Sequence, residues 1–107
     1  MELSYLTSKI RSAATDGKAA RKMLGEDLAR SFHSIVADIR DAMYMGEVPG
    51  TQEIELADGK IGLNYLLGHL AVLEVEPIGS APNDVHNWRQ VHRVRLLRIV
   101  QDGKVLV

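Results

Sequence analysis

The spacing of apolar residues changes once along this chain of 107 residues, and the change limits the folds that are open to it. Between positions 8 and 43 apolar side chains recur every three or four residues, which is typical of helices that bury one face. The segment 46–50 contains two glycines and a proline and interrupts this pattern. Beyond it, apolar and polar residues alternate as they do in strands. Helices and strands that are segregated in this way predict the α+β class.

The helical part divides at two positions. Asp16 and Gly17 interrupt the first helical run, where Asp16 is placed to cap a second piece, and Gly25 is typical of a helix C-cap. A second helix is predicted from about 26 to 43, and its acidic start suits a helix N-terminus. Its apolar residues form one stripe that is expected to be buried: Leu28, Phe32, Ile35, Val36, Ile39 and Met43.

The strands are predicted from the alternating segments. One short strand precedes the helices at 2–6, and the later ones are expected at 53–56, 61–67, 70–75 and 90–100. Turns are expected at 57–60 and at 102–103, a turn or bulge at Gly68 and His69, and a loop at 77–84. The whole pattern predicts one domain over 1–107. In it, an N-terminal strand and a helical hairpin pack on a twisted antiparallel sheet of four to five strands.

The composition excludes several classes of protein. The net charge of −1 excludes a uniformly basic nucleic-acid binder, and the absence of cysteine excludes disulfides and Cys-ligated zinc. No stretch is long and apolar enough to cross a membrane, and the first residues do not have the pattern of a signal peptide. We therefore expect a cytoplasmic protein without membrane contact.

The charges are distributed unevenly. The segment 47–76 has six carboxylates against Lys60 alone, whereas 77–107 has five basic residues against two acidic ones. Arginines at 89, 93, 95 and 98 form the densest basic cluster, and two interpretations stay open. The cluster binds phosphates or an acidic partner, or its arginines pair with the acidic segment across neighbouring strands.

Imidazole and guanidinium groups provide the chemistry that the sequence offers. A metal-free nuclease needs a general base, a general acid and cations that stabilise a pentavalent phosphorane, roles that suit histidine and arginine. The candidates lie in the strand-rich half: His69, His86, Arg89, His92, Arg93, Arg95 and Arg98. The histidine spacings predict no metal site, and there is no glycine-rich phosphate loop. We expect no cofactor.

The order of four stretches of the chain resembles that of a known protein family. They lie at 19–25, 37–42, 50–56 and 88–99. The first two resemble the helical hairpin of HigB/RelE-type toxins of bacterial type II toxin–antitoxin modules, the third is similar to the strand after that hairpin, and the fourth to the last strand. The resemblance implies a RelE/ParE-like fold and a cognate antitoxin, usually a helix-turn-helix DNA-binding protein. Active members cleave mRNA on the ribosome, whereas the ParE branch inhibits DNA gyrase.

The resemblance also suggests site residues. Lys60 and Asp102 match functional motif positions of the family, and we predict a catalytic set of Lys60, Arg93, Arg95 and Asp102, the two arginines on charge alone. RNA contacts are expected from Arg89, His92, Arg98 and Lys104. The family's histidine in the post-hairpin strand is replaced by Ile54, and its central-strand arginine is missing near Ala71.

The expected function is therefore that of a type II toxin that inhibits translation by metal-independent, ribosome-dependent mRNA cleavage, with ribosome, mRNA and antitoxin as partners. The alternatives are a non-catalytic or attenuated binding protein with the toxin fold, or a gyrase inhibitor. An interaction domain unrelated to toxins also stays open.

Overall fold

The structure is a computed structural model that describes residues 1–68, 70–79 and 84–107, apart from the side chains of 84–86. It confirms the α+β class. The helices are α1 (Ser8–Thr15), α2 (Gly17–Leu24) and α3 (Glu26–Asp41). The strands are β1 (Glu2–Tyr5), β2 (Gln52–Glu55), β3 (Ile61–Gly68), β4 (Ala71–Pro77), β5 (Arg93–Gln101) and β6 (Lys104–Val105). Short 3-10 segments lie at Met45–Glu47 and Asp84–Gln90.

The strands form one mixed sheet in the order β1-β5-β4-β3-β2, with β6 beside the end of β5. The prediction of an antiparallel sheet holds for every pair except one, because β1 runs parallel to β5. Parallel pairing needs a long connection between the two strands, and the whole chain between them provides it. The β5–β6 hairpin was not predicted; its turn residues Asp102 and Gly103 have φ angles of 51° and 80°, as a type I′ turn requires.

Three helices take the place of the predicted hairpin. Asp16 separates α1 from α2, and its Oδ1 accepts hydrogen bonds from the amides of Lys18 (3.0 Å) and Ala19 (3.4 Å). The predicted capping role of Asp16 is confirmed, and so is the C-cap at Gly25, where φ is 82°. Thr7 caps α1 in the same way, its Oγ1 accepting from the amide of Ile10.

The buried stripe of α3 is confirmed except at its end. Leu28, Phe32, Val36 and Ile39 are buried, and Ile35 is half-buried against them. Met43, however, is 67% exposed. The helix ends at Asp41, and the amides of Met43 and Tyr44 donate to Oε1 of Glu47 at 2.9 and 2.8 Å. These bonds turn the chain away from the helix axis, which removes Met43 from the stripe.

The helices cover one face of the sheet and leave the other open. On the covered face the core residues of β4 are Ala71, Leu73 and Val75, each 0% exposed. A bulge in the β4–β5 pairing, between Glu74 and Val75, brings an extra residue of β5 into the strand. As a result Arg95 lies opposite Glu76 and Arg98 opposite Glu74, although the arginines are three positions apart and the glutamates two. No helix in the described ranges has the length and apolarity to cross a membrane.

Tyr65, on the covered face of β3, should make stability fall at alkaline pH. Its side chain is 1% exposed, and burial raises its pKa to about 12, despite a 2.7 Å hydrogen bond from Thr51 that acts the other way. Above about pH 10 the unfolded chain releases a proton that the folded chain keeps. The folded pKa is the higher one, so this contribution is complete below about pH 10 and is lost as the pH rises towards 12.

Urea unfolding at about pH 9 and about pH 11 measures this loss, which should reach about 1.4 kcal/mol per pH unit. The matched variant is Tyr65→Phe, in which all other titrating groups stay the same. Its alkaline loss should be smaller than that of the parent. Equal losses in the two proteins would contradict the raised pKa.

Candidate functional site

The open face of the sheet has a ladder of ion pairs that runs along β5. Each arginine of the strand lies against a carboxylate of a neighbouring strand: Arg93 Nε is 2.8 Å from Glu2 Oε2, Arg95 Nη1 is 3.5 Å from Glu76 Oε1, and Arg98 Nη1 donates to Glu74 Oε1. Of the two interpretations that the sequence left open, these pairs agree with the one in which the arginines pair with carboxylates across neighbouring strands. Two of the three pairs, Arg95–Glu76 and Arg98–Glu74, use the acidic segment 47–76.

Three other carboxylates of that segment also have partners within the chain. Glu47 holds the turn after α3, Glu53 accepts a 2.8 Å hydrogen bond from Trp88 Nε1, and Asp58 accepts one of 3.0 Å from the amide of Lys60. Most of the acidity of this segment therefore serves contacts inside the fold.

A cleft of about 340 Å³ lies beside the ladder, where the 56–60 loop faces the end of β1. Backbone bonds from Leu56 N to Lys60 O (2.8 Å) and from Gly59 N to Leu56 O (2.9 Å) close this loop. Gly59 has a φ of 82°, a conformation that suits glycine. The tight turn thus brings Lys60 to the rim of the cleft.

The cleft brings together three of the predicted site residues, Lys60, Arg95 and Arg98. They come from the 56–60 loop and from β5. Its other walls are Leu6, Leu56, Ala57, Asp58, Glu76 and Leu97. The absence of a side chain at Gly62 leaves the space that Leu56 occupies, since a Cβ at position 62 would lie 2.5 Å from Leu56 Cδ2. The two carboxylates of this cleft were not predicted as part of a site. Glu76 is visible in the sequence only as a polar residue that alternates with apolar ones, and Asp58 only as a turn residue.

Five predicted residues lie outside the cleft. Arg93 pairs with Glu2, and Asp102 occupies the β5–β6 turn with Lys104 exposed after it. The guanidinium of Arg89 stacks on Trp88, 4.4 Å from the ring centroid. His92 lines a shallow depression near Asp41 and Tyr44. The other two candidate histidines cannot be placed: His69 lies outside the described residues, and so does the side chain of His86.

The charges in the cleft balance. Lys60 Nζ lies 3.8 Å from Asp58 Oδ2, so each cation of the cleft has a carboxylate within ion-pair distance. All these groups are partly or well exposed, so each pair is worth little by itself and can exchange its partner. An incoming phosphate would compete with the carboxylates for the same donors, since guanidinium groups bind both with two parallel hydrogen bonds.

In the part of the chain that the structure describes, no group of three or more histidine, aspartate or glutamate side chains converges as a metal site requires. A comparison with known proteins finds no matching family model, no similar curated protein and no similar solved structure. The likeness to HigB/RelE-type toxins therefore depends on the residue pattern of the chain.

Proposed function

We propose that this chain is the toxin of a type II toxin–antitoxin module and inhibits translation by metal-independent cleavage of mRNA on the ribosome. One observation supports this most directly. Lys60, the loop residue that matches a functional position of the toxin family, lies in one cleft with Arg95 and Arg98 of the last strand. The order of elements, a strand followed by helices and then a sheet, also agrees with the expectation.

The proposed chemistry follows from the groups in the cleft. A scissile phosphate displaces Glu76 from Arg95, and the guanidinium and the ammonium of Lys60 stabilise the charge that develops on the phosphorane oxygens. The RNA 2′-hydroxyl attacks the phosphorus and gives its proton to Asp58 or Glu76, the carboxylates among the described lining residues. The bond from phosphorus to the 5′ oxygen of the next nucleotide then breaks, and the ammonium of Lys60 donates a proton to that oxygen. Positioning by the ribosome contributes much of the rate, because it holds the reacting hydroxyl and the scissile phosphate in line and within reach of the cleft.

Expression of the chain alone in bacteria tests the proposal. We expect growth arrest together with new mRNA 5′ ends inside reading frames, and both should disappear when translation is blocked. The double variant Lys60→Ala/Arg95→Ala should slow cleavage at least on the order of 10²–10³-fold, the usual effect of removing one donor to a transition-state oxyanion. A cognate antitoxin, which we propose to be a helix-turn-helix DNA-binding protein, should restore growth when co-expressed.

Arg93→Ala is the matched control. Arg93 lies on the same strand and also pairs with a carboxylate, but it does not line the cleft. The control should arrest growth like the parent. Arrest and cleavage that persist in the double variant would contradict the site, and loss of arrest in both variants would show that the cleft has no special role.

The balanced charges favour a second candidate, a toxin-fold protein that binds a target without cleaving RNA. Each cation of the cleft already has a carboxylate partner, which reduces the field available to an incoming phosphate. Arrest without new mRNA ends would support this candidate, with gyrase as the target to examine next. The absence of arrest would favour an attenuated scaffold.

A further inference from the structure

The largest group of cations without ion-pair partners among the described residues lies on α1 and α2. Residues 8–24 contain five basic side chains and one carboxylate, that of Asp16, which caps α2. All five are exposed, and none forms an ion pair within the described residues. They are Lys9, Arg11, Lys18, Arg21 and Lys22. We call them the basic face.

Three of these cations occupy one side of α2. Lys18, Arg21 and Lys22 follow the spacing i, i+3 and i+4, which places them next to one another on the helix surface, whereas Ala20 and Leu24 are buried. Like charges at this spacing destabilise a helix, so a bound anion would relieve the repulsion between these side chains.

The basic face continues into a cleft of about 260 Å³ between α2 and α3. Arg21 and His33 approach each other above Gly17, where a Cβ would lie 3.3 Å from Arg21 Nη1 and 3.8 Å from His33 Cε1. Nε2 of His33 donates to the carbonyl oxygen of Ala13 at 2.7 Å, which fixes the ring against α1. Arg30 lines the other side.

One acidic side chain, that of Glu26, also lines this cleft. Glu26 Oε1 is 3.7 Å from Arg30 Nη2, but both side chains are about three-quarters exposed, so the pair is weak and open to exchange. On β5, by contrast, every arginine has a carboxylate partner.

We propose that the basic face and the Arg21–Arg30 cleft bind the sugar-phosphate backbone of RNA. A phosphate backbone binds most readily to neighbouring cations that have no carboxylate to displace, and the three cations of α2 provide them. A protein partner or a membrane would need an apolar centre or anchor, and on α2 the only large apolar side chain with substantial exposure is Met23, at 37%. The proposal deepens the proposed function, since it names the RNA-contacting surface outside the cleavage cleft.

Binding to a labelled single-stranded RNA of about 20 nucleotides tests the proposal on the purified full chain, between about 50 and 200 mM salt. The variant Lys18→Ala/Arg21→Ala/Lys22→Ala should bind on the order of tenfold more weakly. The slope of log affinity against log salt should fall by about 2, since each lost contact to a single strand accounts for about 0.7. Alanine is the best helix former, so α2 should persist, and circular dichroism checks this.

The control variant, Arg40→Glu/Gln52→Glu, lowers the net charge by the same three units at two exposed positions outside the basic face. It should bind RNA within about twofold of the parent and keep its salt slope. Equal losses in the two variants would overturn the proposal, because binding would then depend on net charge alone. Poly-glutamate that competes as well as RNA at equal charge would also overturn it, in favour of an acidic protein partner. Failure of the parent protein to bind RNA at low salt would also overturn the proposal.

The two proposals fail separately. RNA binding needs neither translation nor cleavage, so a protein that binds RNA through α2 but does not arrest growth would contradict only the proposed function. The variant Lys18→Ala/Arg21→Ala/Lys22→Ala could instead arrest growth, cleave mRNA and bind RNA as the parent does. That result would contradict only the assignment of the basic face.

Discussion

Phe32→Ala should lower the free energy of unfolding by about 3–5 kcal/mol, the usual cost of removing a fully buried phenyl ring. Phe32 is 0% exposed in the middle of α3, where it packs in the core between the helices and the sheet. Domains of this size are stable by only about 5–15 kcal/mol, so the variant should lose a large fraction of its stability and unfold at a much lower urea concentration than the parent. Urea titration followed by circular dichroism measures the change.

Met43→Ala is the control for this experiment. Sequence periodicity places Met43 on the same stripe as Phe32, whereas the structure leaves it 67% exposed beyond the end of α3. Its replacement should change stability by no more than about 0.5 kcal/mol. If Met43→Ala lowered the free energy of unfolding as much as Phe32→Ala, the result would contradict the end of α3 at Asp41. A parent-like urea midpoint for Phe32→Ala would contradict the burial of this face.

Trp88→Ala should have an effect of similar size, about 3–5 kcal/mol. Trp88 lies in the 3-10 segment Asp84–Gln90 and is 4% exposed, although it belongs to no strand or long helix. Its Nε1 donates to Glu53 Oε1 at 2.8 Å, which connects the segment before β5 to the edge strand β2. The loss should therefore loosen both the core and that connection, and circular dichroism during urea unfolding measures it.

Glu53→Ala separates the two contributions. This substitution removes the hydrogen-bond acceptor and leaves the indole ring in place. It should therefore lower the free energy of unfolding only by the effect of an unsatisfied donor, about 1–3 kcal/mol. Trp88 is the only tryptophan of the chain, and its emission reports directly on whether the ring stays buried in this variant. Trp88→Ala unfolding at the parent midpoint would show that the ring contributes little packing.

Much of the secondary structure follows from local physics and could be predicted. The break at Asp16 is visible in the sequence because a carboxylate at that position can accept from the first amides of the next helix. The end of α2 at Gly25 follows from a backbone conformation that glycine adopts at little cost. The stripe of α3 follows from helical spacing, and it fails only at Met43, where a side chain from later in the sequence, Glu47, captures the backbone amides.

The candidate site could be predicted only in part. The sequence identifies Lys60, Arg95 and Arg98 as charged residues on a turn and a strand, and they do meet in one cleft. It could not show that Glu74 and Glu76 lie against those arginines, because the bulge that sets this register depends on packing between β4 and β5. It also directed attention to the arginines of β5, whereas five cations that form no ion pair among the described residues lie on α1 and α2.

The sequence by itself therefore determined where helices and strands occur and which of their faces are apolar, because hydrophobic spacing, caps and turn residues act over a few positions. The tertiary structure alone decided the parallel pairing of β1 with β5, the burial of Trp88 and the partners of each arginine. These features join residues that are distant along the chain. Their energies depend on which surfaces meet, and no local pattern records that.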